Sequence, residues 1–224
     1  MEYILVVFLS YVSWQWMSLY LFATSINKRK KAVKIIKDKN LLDTIFTKTG
    51  LRLASIRVSS SLKPWGMMIG LPRYPYMILS QGMYDSFDKS EVEYVLLHES
   101  GHYILAHSAK LAILYISFLI MGFIFISTIQ IPLMWIAAAL IIGLIQIQMS
   151  RLCEYEADAF TLQRMTNPKG MIMATKKFAN AYKHFDVVRH DEDAFLGRLI
   201  YMGIPYNERI RNAEAEIKKR LKNN

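Results

Sequence analysis

Apolar residues are distributed along this chain in two different ways. Residues 3–27 (YILVVFLSYVSWQWMSLYLFATSIN) and residues 111–150 form long runs without a single charged side chain. Elsewhere apolar positions alternate with charged ones in short, periodic groups. A membrane-spanning helix needs about 20 apolar residues, so the first run predicts one crossing and the second predicts two. Pro132 and Gln130 sit near the middle of the longer run, where a tight reversal between two helices is expected. Four segments follow: an N-terminal anchor over 1–27, a polar part over 28–110, a helical hairpin over 111–150 and a second polar part over 151–224.

Within the first polar part, residues 64–82 (PWGMMIGLPRYPYMILSQG) contain two short apolar runs separated by Gly70, Pro72 and Pro75, which predicts a small β-hairpin. Further on, Val92, Val95, Leu96 and the apolar positions after them have helical period. Ser90 and Glu93 have the spacing of a capping box, so the helix is expected to start near Ser90.

Charge sharpens the topology. The chain of 224 residues has 28 Lys+Arg against 18 Asp+Glu, a net +10, together with 53% hydrophobic residues and a mean hydropathy of +0.19. That mixture excludes a disordered basic tail. Residues 28–39 carry seven Lys/Arg, and Arg209, Arg211, Lys218, Lys219, Arg220 and Lys222 form a second basic group. By the positive-inside rule both polar parts are expected in the cytoplasm with the N-terminus outside, a parity that three crossings satisfy. The densest basic run abuts the first anchor, which points to anionic lipid headgroups and away from nucleic acid. A lone cysteine, Cys153, excludes an internal disulfide and is expected to be a packing residue.

The chemistry-bearing pattern is HESGH at 98–102. His98 and His102 are four residues apart on the predicted helix and therefore share a face, where two neutral imidazoles can hold one zinc ion. Glu99 lies beside them, placed to act as general base toward a water at the open coordination position. His107 follows His102 by five positions without the glycine of a longer metal motif, so it is expected, like His184 and His190, to be structural. The third ligand must come from elsewhere.

A two-helix hairpin returns the chain to the face it left, so the residues after 150 should emerge beside those before 111. There the sequence reads SRLCEYEADAF, in which Glu154 and Asp158 share a helical face and Glu156 points away from both. Glu154 is thus expected as the third zinc ligand. Asp158 is expected to orient an imidazole through its other ring nitrogen. The bland alternative is a solvated acidic face pairing with Arg151 or Arg164.

These motifs in combination resemble the HtpX-like membrane metallopeptidases, relatives of the CaaX prenyl proteases and the Oma-type proteases. The resemblance rests on HESGH, the two-span hairpin after it and CEYEADAF at 153–160, similar to the family's ExxAD signature, and it covers roughly residues 45–215. It implies one zinc per chain on His98, His102 and Glu154 with Glu99 as base. The expected fold class is a mainly α membrane protein, with about three transmembrane helices and a cytoplasmic gluzincin-type zinc peptidase domain carrying a small sheet. The family's His-Pro pair before Arg-Ile is altered: in GIPYNERI, Ile204 stands where the histidine is expected, while Pro205, Arg209 and Ile210 are retained. Arg209 is the candidate oxyanion partner by that resemblance, with Tyr201 or Tyr206 as substitutes; its bland role is an ion pair with Glu208 or Asp158.

The function expected is that of a membrane-anchored endopeptidase, with lipid and a peptide or protein substrate as partners and no nucleic acid. Residues 64–82 would hold an extended peptide at a strand edge, or simply cover the helix. An intramembrane protease of the site-two type is disfavoured because Glu91, Glu93 and Lys110 flank the motif. A catalytically silent scaffold or immunity protein is the alternative from another class, supported by Ile204. Oligomeric state is not legible.

Overall fold

The computed structural model of the chain describes residues 33–36, 38–70, 74–128, 132–182 and 203–223. The predicted N-terminal anchor, His184, His190 and Tyr201 lie outside them. In chain order the described elements are β1 (Val33–Ile36), α1 (Lys39–Thr49), β2 (Ser55–Ser59), β3 (Gly66–Ile69), β4 (Tyr76–Ser80) and α2 (Gln81–Ser86). They continue with α3 (Lys89–Ile104), α4 (His107–Thr128), α5 (Pro132–Arg164), α6 (Lys169–Tyr182) and α7 (Tyr206–Asn223).

The four strands form one sheet in the order β1-β2-β4-β3. β3 and β4 pair antiparallel, as the hairpin pattern of 64–82 predicts, with Gly66 opposite Leu79 and Ile69 opposite Tyr76. β2 pairs parallel with β4 and antiparallel with β1. One face of this sheet supplies Ile56, Met77 and Leu79 to a core shared with Ile45 of α1 and with Val92, Val95 and Leu96 of α3. β3 is an edge strand lying close against α3: a Cβ built on Gly66 would stand 2.7 Å from Val95 Cγ1. A larger residue there would force the Val95 side chain or the strand to shift.

α3 is the central helix. The sheet, through β3, and the helices α1, α5 and α6 all pack on it. Its start differs from the expected one. Asp88 is the N-cap, accepting from Glu91 N at 2.9 Å, while Asp88 N donates to Glu91 Oε2 at 2.7 Å. The capping box is therefore Asp88 and Glu91, two residues ahead of the Ser90–Glu93 pair. An aspartate carboxylate outcompetes the serine hydroxyl as acceptor for the first free N–H groups. Glu93 is left free to pair with Lys48, which also donates to Arg164 O at 3.0 Å, so α1, α3 and the end of α5 meet there.

α4 and α5 occupy the stretch predicted as a hairpin, with Pro132 at the first turn of α5, where its missing N–H costs nothing. Ile113, Ile116, Ile120 and Ile124 on α4, and Leu140 and Ile141 on α5, are each more than half exposed. Among the described residues no single helix is long and apolar enough to cross a membrane; Lys89–Ile104 and His107–Gly122, bent by 44° at their break, meet that standard only together.

Candidate metal centre

The site forms where α5 crosses α3. A Cβ on Gly101 would stand 3.1 Å from Phe160 Cδ1 and 3.4 Å from Ala157 Cα, so the two backbones approach closely at a glycine from HESGH and an alanine from CEYEADAF. Ala157 is fully buried at that crossing. On either side of it, one helical face of α3 presents His98 and His102, and one face of α5 presents Glu154 and Asp158.

These side chains converge. His98 Nε2 lies 3.1 Å from His102 Nε2 and 3.4 Å from Glu154 Oε2, while His102 Nε2 lies 3.3 Å from Glu154 Oε1. One ligand atom from each of the three residues falls within 4.8 Å of the others. Tetrahedral ligands at zinc bonds of about 2.0–2.1 Å stand about 3.3 Å apart. The donor set, two imidazole nitrogens and a carboxylate oxygen at nearly that separation, fits a zinc ion.

Behind His98 the surroundings are buried and charged. Its Nδ1 lies 2.9 Å from Asp158 Oδ1, and Tyr94 OH donates to the same oxygen at 3.3 Å. Arg209 of α7 donates from Nε to Asp158 Oδ2 at 2.7 Å and from Nη2 to Glu154 Oε2 at 2.9 Å. The arginine is thus engaged with both carboxylates of α5, which realises the ion pair with Asp158 weighed against an oxyanion role; it is not among the residues lining the cavity described below.

Burial disfavours a charged His98, but the Asp158 and Glu154 carboxylates outweigh it and push the imidazole up to about 10. Burial also opposes charge on Glu154, yet hydrogen bonds from His102 and His98 and the nearby Arg209 hold it well below the usual carboxylate range. Asp158 is likewise lowered, burial being overcome first by the Arg209 charge and then by His98. Glu99 moves the other way: burial raises its carboxyl above the ordinary value, against the partial relief of the two histidines.

Behind His102 the arrangement is different. Its Nδ1 lies 2.8 Å from His107 Nδ1, and His107 Nε2 lies 2.9 Å from Glu156 Oε2, which also accepts from Lys110 at 2.8 Å. Glu156 does point away from Glu154 and Asp158, as its helical position requires, and meets His107 instead. Burial lowers the His107 imidazole, with Glu156 only partly opposing.

A cavity of about 550 Å³ opens beside the cluster, lined among others by Met67 and Met68 of the edge strand, Glu99, His102, Tyr103, Cys153, Glu154 and Gly203. Cys153 is 4% exposed and packs at its wall. Ile204, at the position where the resemblance places a histidine, is 1% exposed and belongs to the core. Tyr206 opens α7. Two members of the cluster were not foreseen in their places. Tyr94 precedes His98 by one helical turn, a spacing that carries the signal; for His107, five residues beyond His102, helical periodicity points elsewhere.

The profile of Peptidase family M48 matches residues 54–217, more than half of the chain. Among solved structures, the crystal structure of S. mikatae Ste24p is similar with a TM-score of 0.61 and 17% sequence identity, covering 90% of this chain and 56% of that one. This chain therefore spans little more than half the length of that structure, and the likeness is one of fold. No curated protein matches the chain. The extended match, reaching from the sheet across both motif-bearing helices into α7, shows that the chain belongs to peptidase family M48, the family of HtpX, Ste24 and CaaX proteases.

Proposed function

We propose that this protein is a membrane-anchored zinc endopeptidase that hydrolyses peptide bonds of membrane or membrane-proximal proteins at the cytoplasmic face. The observation that carries the reading is the convergence of His98, His102 and Glu154 within 4.8 Å at the wall of a cavity that also contains Glu99. His98, His102 and Glu154 would hold one zinc. Bound there, the metal would supply a lowered water pKa and polarisation of the scissile carbonyl.

The protein's own groups account for the rest. Glu99 accepts the proton of the attacking water and passes it to the leaving amine; burial raises its carboxyl above the ordinary value, which strengthens it as a proton acceptor. Asp158 fixes the His98 ring through Nδ1, leaving Nε2 directed at the site. Arg209 holds Glu154 and Asp158 in register and neutralises their combined charge. The edge strand β3, whose Met67 and Met68 line the cavity, is placed to pair with an extended peptide. Membrane attachment, with about three spans and the N-terminus outside, is supported by the uncharged runs at 3–27 and 111–150 and by the exposed isoleucines of α4.

The test is proteolysis of a membrane-embedded substrate by the full chain and by Glu99→Gln. Loss of at least about 100-fold in rate with zinc content unchanged is expected for a general base. Equal, chelator-insensitive cleavage by both would reject the assignment. One observation favours a second reading, a catalytically silent scaffold or immunity protein: Ile204 buries an aliphatic side chain where the family carries a histidine. Zinc binding without cleavage by wild type would select it.

A further inference from the structure

α3 and α4 do not continue as one straight helix. Leu105 N donates to Gly101 O at 2.9 Å and Ala106 N to Tyr103 O at 3.1 Å, after which α4 restarts at His107 on an axis bent by 44°. At the break Ala106 has φ 53°, in the left-handed region that a Cβ disfavours. Non-glycine residues held there are found where the surroundings impose the conformation, often next to functional groups.

The break has a definite effect. Along an unbroken helix a residue five positions on lies about 140° round from its start, so His107 could not face His102. With Ala106 turned, His107 Nδ1 comes within 2.8 Å of His102 Nδ1, and the opposite ring nitrogen lies 2.9 Å from Glu156 Oε2. The His107 side chain is 2% exposed, so its two ring nitrogens have little water to turn to.

We infer that His107 and Glu156 are positioning residues for the metal centre: they set the tautomer and orientation of His102, and the left-handed break at Ala106 is what delivers them. The inference rests on the zinc site proposed above. If His102 Nε2 is the metal donor, its Nδ1 carries the proton and donates to His107 Nδ1. His107, accepting there, carries its own proton on Nε2 and donates it to Glu156 Oε2. Lys110 donates to the same oxygen at 2.8 Å and keeps that carboxylate an acceptor. With both imidazoles neutral and Glu156 ionised, the arrangement of protons that satisfies every member is the one that leaves the His102 Nε2 lone pair free for the metal. A merely space-filling His107 would need no acceptor at Glu156.

The full chain is titrated with zinc against a chromophoric chelator, and its Co²⁺ form is examined by visible absorption, in wild type, His107→Leu, His107→Gln and Glu156→Ala. Melting temperatures of the metal-free forms are measured in parallel. His107→Leu and Glu156→Ala are expected to weaken zinc binding by about 10–100-fold and to shift the cobalt bands, the range seen when a group behind a metal ligand is removed. His107→Gln, whose amide can both accept and donate, should recover most of the loss. Wild-type affinity and spectrum in His107→Leu and Glu156→Ala would overturn the inference, as would equal losses in His107→Leu and His107→Gln. Should His107→Leu fail to fold, Glu156→Ala decides alone, because that side chain is half exposed. A wild type that takes up no zinc would sink the proposed function itself, whereas zinc-binding wild type with indifferent variants sinks only this inference.

Discussion

His98 and His102 carry the same imidazole one helical turn apart, yet the groups standing behind them differ in nearly everything that sets electrostatic strength. Behind His98 are Asp158, 4% exposed, and Arg209, 12% exposed. Behind His102, past the buried His107, the chain of contacts ends at Glu156 and Lys110, which are 50% and 44% exposed. Charges in the first arm act through protein with little water to screen them, and each is costly to leave unpaired. Charges in the second arm are screened, so its contribution comes from directed hydrogen bonds. One metal site thus has one arm built on charge and one built on geometry.

The largest effect should come from breaking the charged arm at its pivot. Arg209→Met leaves Asp158 and Glu154 without their shared guanidinium, and removing one partner of a buried ion pair costs about 3–5 kcal/mol. Denaturation of the metal-free chain should show that loss. A fall smaller than that of an exposed ion pair would mean the two arms do not differ in kind.

Next in size is Asp158→Asn. The amide no longer carries the charge that stands 2.9 Å from His98 Nδ1, and zinc affinity is expected to fall about 10–100-fold, measured by chelator competition. Unlike Glu156→Ala, this variant should also lower the melting temperature of the metal-free form, because Arg209 loses a buried partner.

The pH profile sharpens the contrast further. In the metal-free chain His98 is raised from 6.5 to about 10, so the stability its proton contributes is complete below about 6.5 and fades as pH rises through 10. Glu154 is lowered from 4.5, so its contribution is complete above that value and is lost on acidification. Metal-free stability should therefore be greatest between those limits, and zinc uptake at pH 8 should release a proton, detectable by calorimetry in buffers of different ionisation enthalpy. Uptake without proton release would contradict a charged His98.

The smallest effect belongs to the outer end of the open arm. Lys110→Met should change zinc affinity by no more than about threefold, and the change should vanish at high salt, as expected of an exposed pair. A larger, salt-insensitive effect would show that Glu156 depends on Lys110 more than its exposure implies.

Much of this site is written in local spacing. His98 and His102, Glu154 and Asp158, and the outward turn of Glu156 all follow from helical period, and the close crossing of Gly101 on Ala157 gives the two motifs a common place. The β3–β4 hairpin was readable from Gly70, Pro72 and Pro75. β1 and β2 were not, since four- and five-residue strands carry little periodicity and the parallel β2–β4 pairing joins residues about twenty positions apart. The cap of α3 was misplaced by two residues because Asp88 and Ser90 both offer an acceptor, and the stronger one won. Ser90 bonds Asp88 instead of the helix, at 2.8 Å.

Neighbours along a helix share a face whatever the rest of the molecule does, so the two imidazoles, the base beside them and the paired carboxylates could be read from residue order and 3.6-residue geometry. The partners of those groups could not. Arg209 reaches Glu154 and Asp158 across more than fifty residues, and His107 reaches His102 only because a left-handed alanine turns the chain. Both contacts depend on how helices pack and where one of them breaks, which is settled by the sum of many weak contacts and by no single stretch of sequence.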